Sequence, residues 1–297
     1  MNNDVIIFLI GPTCTDKTKL AIKLMTFFPI EIISVDASMI YKYMNIGTGK
    51  PSYYFLNKFK HNLVNICDPC ENYSILNFCK DALLIIKSCW ERGKIPFFVG
   101  GSMMYFWLLQ KILYFFNNNN IIFHYNINNF NLLYDKIDIF KIGINTIYKK
   151  DIIYYLKWFY YNNLNVVLNK IYTNSLKFIN IAILPIDKNK LYNRIENRFK
   201  NMLQMGFVDE VYCLYKRGDL NLASQSIKSI GYKDFWLYFD NKISFKDATE
   251  SILFSTYNLS NRQLMWLKKW KSDLIYLEFE QSNILNNISF LINKNLV

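Results

Sequence analysis

The chain has 297 residues and a formal net charge of +12 at pH 7, a length that allows a sizeable core in one large domain or two. It contains no uncharged apolar stretch of 18 residues, and its N-terminus lacks the basic region of a signal peptide, so we expect a cytoplasmic protein with no membrane-spanning segment. Six cysteines without a paired framework and two isolated histidines argue against a disulfide scaffold or a structural zinc site.

The first predicted strand leads into a phosphate-binding pattern. The apolar run at 5–10 predicts a buried parallel strand, and residues 20–25 have helical spacing. Between them lies an imperfect G-x-x-x-x-G-K-[ST] sequence, made of Gly11, Pro12, Thr13, Cys14, Thr15, Asp16, Lys17 and Thr18. The N–H groups of such a turn bind phosphate oxygens, Lys17 adds a positive charge, and the Thr18 hydroxyl is a candidate ligand of Mg²⁺. The pattern predicts a site for a phosphorylated small molecule.

Two further strands are predicted to end at the same edge of the sheet. Residues 32–35 form a short β-branched strand that stops at Asp36, and residues 95–99 form one that stops at Gly100 and Gly101, after a helix at 74–92. Ligands of doubly wound sheets bind beyond the carboxyl ends of the strands, so Asp36 should face the phosphate loop. Its carboxylate is suited to ligate Mg²⁺, to accept a proton, or only to cap the next turn. The two glycines predict either a close approach to a ligand or a tight turn.

The second half of the sequence predicts an interruption of the sheet and then a helical region. An asparagine-rich stretch at 116–131 predicts a loop, and residues 148–170 have a helical, aromatic-rich pattern. A returning strand at 181–185 precedes helices at roughly 187–205, 207–217 and 245–270. We therefore predict an α/β fold, a P-loop NTPase-like parallel sheet with helices on both faces, formed by residues 1–112 and 180–297. Residues 113–179 lie between these two parts of the core.

Positive charge is concentrated in the later part of the chain. Most of the excess of Lys and Arg over Asp and Glu lies within residues 111–271, which favours a polyanionic partner such as RNA. Arg194 and Arg198 share one helical face, where they either bind a diphosphate or face solvent. Arg262 and Trp266 have the same spacing, which suits phosphate contact and base stacking, although Trp266 is equally acceptable in a core.

Six segments in order resemble the tRNA dimethylallyltransferase family of the bacterial type. They are residues 33–51, 99–105, 194–198, 205–207, 229–232 and 261–267. Members transfer a dimethylallyl group from its diphosphate to N6 of the adenosine just 3′ of the anticodon. The resemblance implies that the protein binds dimethylallyl diphosphate with Mg²⁺ and the anticodon stem-loop of tRNA. It also implies that residues 113–179 form a small helical insertion that makes part of the RNA contact. We expect a monomer.

The resemblance also implies a role for each set of residues. Asp36 is the candidate general base for the adenine N6 amine, and Lys17 and Arg198 are candidates for stabilising the leaving diphosphate, which the loop at 11–18 binds. The residues expected to contact tRNA are Asp36, Ala37, Ser38, Met39, Ser102, Lys228, Ser229, Ile230, Gly231, Tyr232, Lys233, Arg262, Gln263 and Trp266.

Several positions depart from the family pattern. Asp16 replaces a glycine and is expected to oppose diphosphate, Ala37 replaces a serine, and Asp151 and Tyr154 stand where the insertion carries two arginines. Arginines flanking the Gly231 motif are replaced by lysines, which keep the charge but lose the bidentate geometry. Two alternatives therefore stay open: a small-molecule or nucleotide kinase that uses the loop on ATP, and an RNA-binding protein that has lost catalysis.

Overall fold

The computed structural model describes residues 5–119, 176–270 and 273–296. Within these ranges six strands form one sheet, in the order β3-β2-β4-β1-β5-β6, and every neighbouring pair is parallel. The strands are β1 (Val5–Ile10), β2 (Ile30–Val35), β3 (His61–Asn62), β4 (Ile95–Gly100), β5 (Lys177–Leu184) and β6 (Ile275–Glu278). The predicted parallel α/β sheet is confirmed.

Helices cover both faces of this sheet, as predicted. They are α1 (Lys17–Leu24), α2 (Tyr53–Lys58), α3 (Ile75–Glu91), α4 (Met103–Asn119), α5 (Lys188–Gln204), α6 (Phe207–Tyr215), α7 (Tyr232–Phe239), α8 (Phe245–Lys268) and α9 (Ile284–Leu296). Successive side chains of β1 alternate between the faces: Ile7 packs in the core beneath α1 and α9, and Phe8 packs in the larger core beneath α3 and α4. All six β1 residues are buried, which explains their continuous apolar run.

The region around the predicted insertion differs from expectation. Helix α4 continues to Asn119, so the predicted loop at 116–131 is wrong for residues 116–119, and the helix crosses the expected boundary at 112. Leu109 and Leu113 anchor α4 in the core, and adding residues to an existing helix costs little even when they are asparagines. Residues 120–175 of the predicted insertion, which include Asp151 and Tyr154, lie outside the described residues. Its last residues, 177–179, belong to β5, so the expected boundary after residue 179 falls inside a strand.

The C-terminal segment contains elements that the sequence did not predict. β6 extends the sheet beside β5, and α9 packs through Ile284, Ile288 and Ile292 on the core that also contains α1. Helix α7 follows directly after Gly231, where only an RNA-contacting segment was expected. In the ranges that the structure describes, no helix is both long enough and apolar enough to cross a membrane.

Candidate active site

A cleft of about 1250 Å³ lies beyond the carboxyl ends of β1, β2 and β4. Its lining combines the phosphate loop, the turn after β2, the segment at 45–53, and side chains from α5, α6 and α8. The predicted meeting of the strand ends is thereby observed, because the carboxyl ends of parallel strands share one edge of the sheet.

The phosphate loop connects β1 to α1 and is held by internal hydrogen bonds. Lys17 is the first residue of α1 and is buried, and its Nζ donates to the carbonyl oxygen of Pro12 and, over 3.2 Å, to Thr15 Oγ1. Burial lowers the pKa of Lys17 to about 8. The Lys17 ammonium therefore lies in a poorly solvated position within the loop, where a phosphate group would stabilise its charge strongly.

Asp16 occupies the loop position of the missing glycine and has a φ of 47°, in the left-handed region. Its carboxylate lies 2.7 Å from the Arg194 guanidinium and 3.6 Å from Lys19 Nζ. Arg194 Nε also donates to the Cys14 carbonyl over 2.8 Å. The charge that was expected to oppose diphosphate is thus paired within the protein.

Arg198 lies one turn further along α5 and reaches the same loop. Its guanidinium donates to Thr13 Oγ1 over 3.0 Å and to the Thr48 carbonyl over 3.3 Å. Of the two interpretations of the Arg194 and Arg198 spacing, the structure supports the one in which both face the loop. Arg198 bridges the loop and the segment at 45–53, so it sits between two walls of the cleft.

Asp36 follows β2 and lines the same cleft as the loop. One carboxylate oxygen, Oδ1, accepts the N–H groups of Ser38 and Met39 over 2.8 and 3.1 Å. The capping role is therefore present, and it fixes the orientation of the carboxylate towards the cleft. The second oxygen, Oδ2, is held in the same orientation, and it is the candidate proton acceptor of this residue.

Polar residues from three chain segments meet beside Asp36. Ser102 Oγ accepts the N–H of Ala37 over 3.2 Å, and the hydroxyls of Ser38 and Ser229 lie 3.1 Å apart. Met39 and Ile230 also line the cleft. The structure therefore brings together the predicted tRNA-contacting residues that follow β2, that follow β4 and that precede α7.

Two other residues predicted to contact tRNA have their polar atoms bound inside the protein. Tyr232 is fully buried, and its hydroxyl donates to Glu210 over 2.6 Å. The Gln263 amide accepts the N–H of Thr13 and donates to the carbonyl of Gly101, both over 2.9 Å. A Cβ on Gly101 would lie 2.5 Å from Nε2 of this amide, so close packing against Gln263 explains why residue 101 is a glycine. These contacts show that both side chains hold the walls of the cleft together, and their contact with tRNA stays a prediction.

Three of the remaining predicted RNA contacts are exposed, and each adjoins a cleft-lining residue in the sequence. Lys228, Lys233 and Arg262 are exposed, whereas Gly231 is buried at the start of α7. Trp266 is partly buried and packs against the core, with its ring 6.3 Å from that of Trp270. The sequence left Trp266 open between core and surface, and its packing favours the core.

Glu210 was missed by the sequence interpretation although it organises one wall of the cleft. Its carboxylate accepts the N–H groups of three successive residues, Asn45, Ile46 and Gly47, over 2.7, 2.8 and 3.1 Å. The neighbouring Phe207 ring leaves no room for a side chain at Gly47, where a Cβ would lie 2.0 Å from it. The sequence did contain a signal for this role. Glu210 lies on the first turn of α6, three residues after Phe207, so the two side chains share one face of the helix.

Oxygen ligands for a hard cation are available in the cleft in the form of Thr18 and Asp36. A separate group, Asp68, Cys70 and Asp219, has ligand atoms within 4.8 Å of one another, and it is the one such cluster among the described residues. The Arg217 guanidinium lies 2.8 Å from Asp68 and 2.7 Å from Asp219. These ion pairs, and not a metal ion, explain why the acidic side chains lie close together.

Comparisons with known proteins match this chain to one protein family. The family model described as IPP transferase matches residues 39–131 and 152–270. A tRNA dimethylallyltransferase of Buchnera aphidicola from Acyrthosiphon pisum, strain APS, is 42% identical over 90% of this chain and 89% of its own length. One of Legionella pneumophila, strain Paris, is 34% identical over 97% and 96%. The crystal structure of a tRNA delta(2)-isopentenylpyrophosphate transferase from Staphylococcus epidermidis superposes with a TM-score of 0.72 at 27% identity, covering 98% of this chain and 99% of that one. The chain belongs to the IPP transferase family.

Proposed function

We propose that the protein transfers a dimethylallyl group from dimethylallyl diphosphate to N6 of the adenosine 3′ of the anticodon in tRNA. The relatives from Buchnera and Legionella carry the name tRNA dimethylallyltransferase. The observation that carries the proposal is a single cleft that Asp36 lines together with Lys17 and Arg198 at the phosphate loop.

The loop side of the cleft suits the leaving group. When the bond between C1 of the dimethylallyl group and its oxygen breaks, the diphosphate leaves with the bonding electrons and gains charge. Lys17, Arg198 and the N–H groups at the start of α1 are already oriented there by the contacts described above. Donors that need no reorganisation at the moment of reaction contribute most to transition-state stabilisation.

The Asp36 side suits the nucleophile. The adenine N6 amine is a weak nucleophile because its lone pair is delocalised into the ring. As the bond between N6 and C1 forms, one N6 proton must leave, and we assign Asp36 Oδ2 as its acceptor. Two backbone N–H groups on Oδ1 hold the carboxylate in place for that transfer.

A magnesium ion fits the donor set of the cleft. We infer that Thr18 Oγ1 holds it, with diphosphate oxygens as the other ligands, because Mg²⁺ is commonly bound by one or two protein oxygens and substrate phosphates. Such an ion supplies additional neutralisation of the diphosphate charge.

The exposed Lys228, Lys233 and Arg262 give the cleft a basic border, which supports a tRNA partner. The adenosine must leave its stack to reach the diphosphate at the base of the cleft.

We further infer a cytoplasmic monomer. All six cysteines, which lie within the described ranges, are free thiols, as a reducing compartment requires.

The two alternatives lose support from specific observations. Membership of the IPP transferase family argues against a kinase. The pairing of Asp16 with Arg194 removes the main reason to expect a protein unable to bind diphosphate.

The proposal is tested by incubating the protein with tRNA, dimethylallyl diphosphate and Mg²⁺ and measuring nucleoside masses. We expect one adenosine to gain one dimethylallyl group. The matched control is the same tRNA with guanosine at that position, which should stay unmodified. In a parallel reaction to which ATP is added, ATP consumption without modified adenosine would instead indicate a kinase. Tight tRNA binding without product would indicate an inactive RNA-binding protein.

A further inference from the structure

The phosphate loop carries a negative charge at the place where a negative ligand binds. Asp16 lies directly before Lys17, and its backbone adopts a left-handed conformation that favours glycine. Aspartate enters this conformation more readily than most residues, so the backbone cost is modest. The electrostatic cost is larger, because an unpaired carboxylate here would repel diphosphate from the loop.

Arg194 contacts this loop at two points. One nitrogen of its guanidinium lies 2.7 Å from Asp16 Oδ2, and Nε donates to the Cys14 carbonyl over 2.8 Å. The rigid fork of donors thus spans the loop from Cys14 to Asp16. Lys19 is a weaker neutralising partner, since it lies 3.6 Å from Asp16 and its side chain is 78% exposed.

The C-terminal segment supports Arg194 from another direction. The Phe279 ring centroid lies 4.4 Å from the guanidinium carbon, a cation–π arrangement. The backbone N–H of Phe279 donates to the Leu184 carbonyl over 2.8 Å, which ties it to the end of β5. Next to it, Glu280 pairs with Lys190 on α5 over 3.1 Å. The guanidinium is therefore held between the C-terminal segment and the loop.

We propose that Arg194 is a positioning residue that compensates for Asp16. Arg194 neutralises the Asp16 carboxylate and holds the Cys14 carbonyl towards its own guanidinium. The loop N–H groups therefore stay available to diphosphate. Arg198, one turn away, interacts with the diphosphate, whereas Arg194 acts through the loop. This inference rests on the proposed function only in taking a diphosphate as the ligand of the loop.

The compensation predicts that removing Asp16 rescues the loss of Arg194. Binding of inorganic pyrophosphate with Mg²⁺ is measured by calorimetry for the parent, Arg194→Ala, Asp16→Gly and the double variant. Arg194→Ala should weaken binding by at least about tenfold, because the unpaired Asp16 carboxylate would repel pyrophosphate even though solvent screens part of its charge. The double variant should recover to within about threefold of the parent. Asp16→Gly alone should tighten binding by only about two- to threefold, because its partner already screens the carboxylate.

Two outcomes would overturn the inference. A double variant that binds as weakly as Arg194→Ala would show that Arg194 contacts pyrophosphate itself or serves the fold, and an Arg194→Ala variant equal to the parent would show that the pair is irrelevant. Thermal unfolding of all four proteins separates the fold from the site. In the tRNA assay, Arg194→Ala should raise KM for the prenyl donor more than it lowers kcat. The expected pyrophosphate pattern without any tRNA modification would contradict the proposed function and leave the compensation intact.

The contribution of the C-terminal segment is tested separately. Phe279→Leu keeps an apolar side chain but removes the aromatic face, and it should weaken pyrophosphate binding by about two- to threefold. Phe290→Leu is the matched control, because that ring is 67% exposed on α9. Equal effects of the two variants would exclude a specific role for Phe279.

Discussion

The two ends of the cleft are proposed to bind the diphosphate and the RNA, and they are called the diphosphate end and the RNA end here; they hold their positive charge differently. At the diphosphate end, Lys17 and Arg198 are hydrogen bonded to the loop and are partly or fully buried. At the RNA end, Lys228, Lys233 and Arg262 are exposed to solvent. Fixed donors suit a small ligand whose charge grows during the reaction. Mobile surface charges suit a long polyanion that is bound by displacement of its counterions. We therefore expect substitutions at the diphosphate end to act through the lost geometry of the donors. Substitutions at the RNA end should instead change the salt dependence of tRNA binding.

The largest effect is expected where the two ends meet, at Asp36. Asp36→Asn keeps an oxygen for the Ser38 and Met39 N–H groups but removes the proton acceptor, so adenosine alkylation should slow by about 10²–10⁴-fold. Tm and tRNA affinity should change little. The rate is measured in single turnover with saturating donor, and Asp209→Asn, an exposed acidic position on α6, is the control. A rate within a few-fold of the parent would remove Asp36 from the mechanism.

Arg198 tests whether fixed charge at the diphosphate end acts on the reaction itself. Arg198→Ala should lower kcat by about 10²–10³-fold, the usual cost of losing one oriented donor to developing charge. Arg198→Lys should recover only part of this rate, because an ammonium cannot bridge Thr13 and the Thr48 carbonyl as the guanidinium does. If both variants raise KM with an unchanged kcat, Arg198 contributes to ground-state binding alone.

The lowered pKa of Lys17 gives the diphosphate end a pH dependence. Burial brings this pKa from 10.5 to about 8, so the free protein carries a charged Lys17 below that pH and a neutral one above it. Pyrophosphate binding favours the charged form and must take up a proton above pH 8, so affinity should fall by up to about tenfold per pH unit there. Calorimetry from pH 7 to 9.5 measures the slope against Lys17→Arg, whose guanidinium stays charged and which corrects for titration of pyrophosphate. Equal slopes would contradict the assignment.

The smallest effect is expected at the RNA end. Arg262→Ala should weaken tRNA binding only a few-fold and should reduce the slope of log affinity against log salt by about 0.7–0.9, the value for one phosphate contact. Donor binding should be unchanged. Lys294→Ala removes one exposed cation from α9 and is the control. Lost donor affinity with an unchanged salt slope would move Arg262 to the diphosphate end.

The sequence predicts those parts of the site that depend on strand order and local pattern. β1 is found at its predicted bounds because both of its faces are buried. Asp36 lines the same cleft as the phosphate loop because the carboxyl ends of parallel strands lie at one edge of the sheet. The pairing of Arg194 with Asp16 and the binding of Glu210 to three backbone N–H groups were not predicted. Both depend on how α5 and α6 are rotated against the sheet, which long-range packing decides. Helix α9 was missed because its short apolar repeat gains stability only from the core that it completes.

The hydrogen bond between Thr13 and Gln263 joins positions 250 residues apart, and it has a consequence for biosynthesis. The phosphate loop is synthesised first, and Arg194, Arg198 and Gln263 follow 180, 185 and 250 residues after the loop residues that they contact. Until β5 is made, one edge of β1 has no neighbouring strand, and such an edge invites pairing with other chains. The donor site therefore matures late. A nascent chain that stalls between β4 and β5 would expose an apolar sheet edge and depend on chaperones until synthesis resumes.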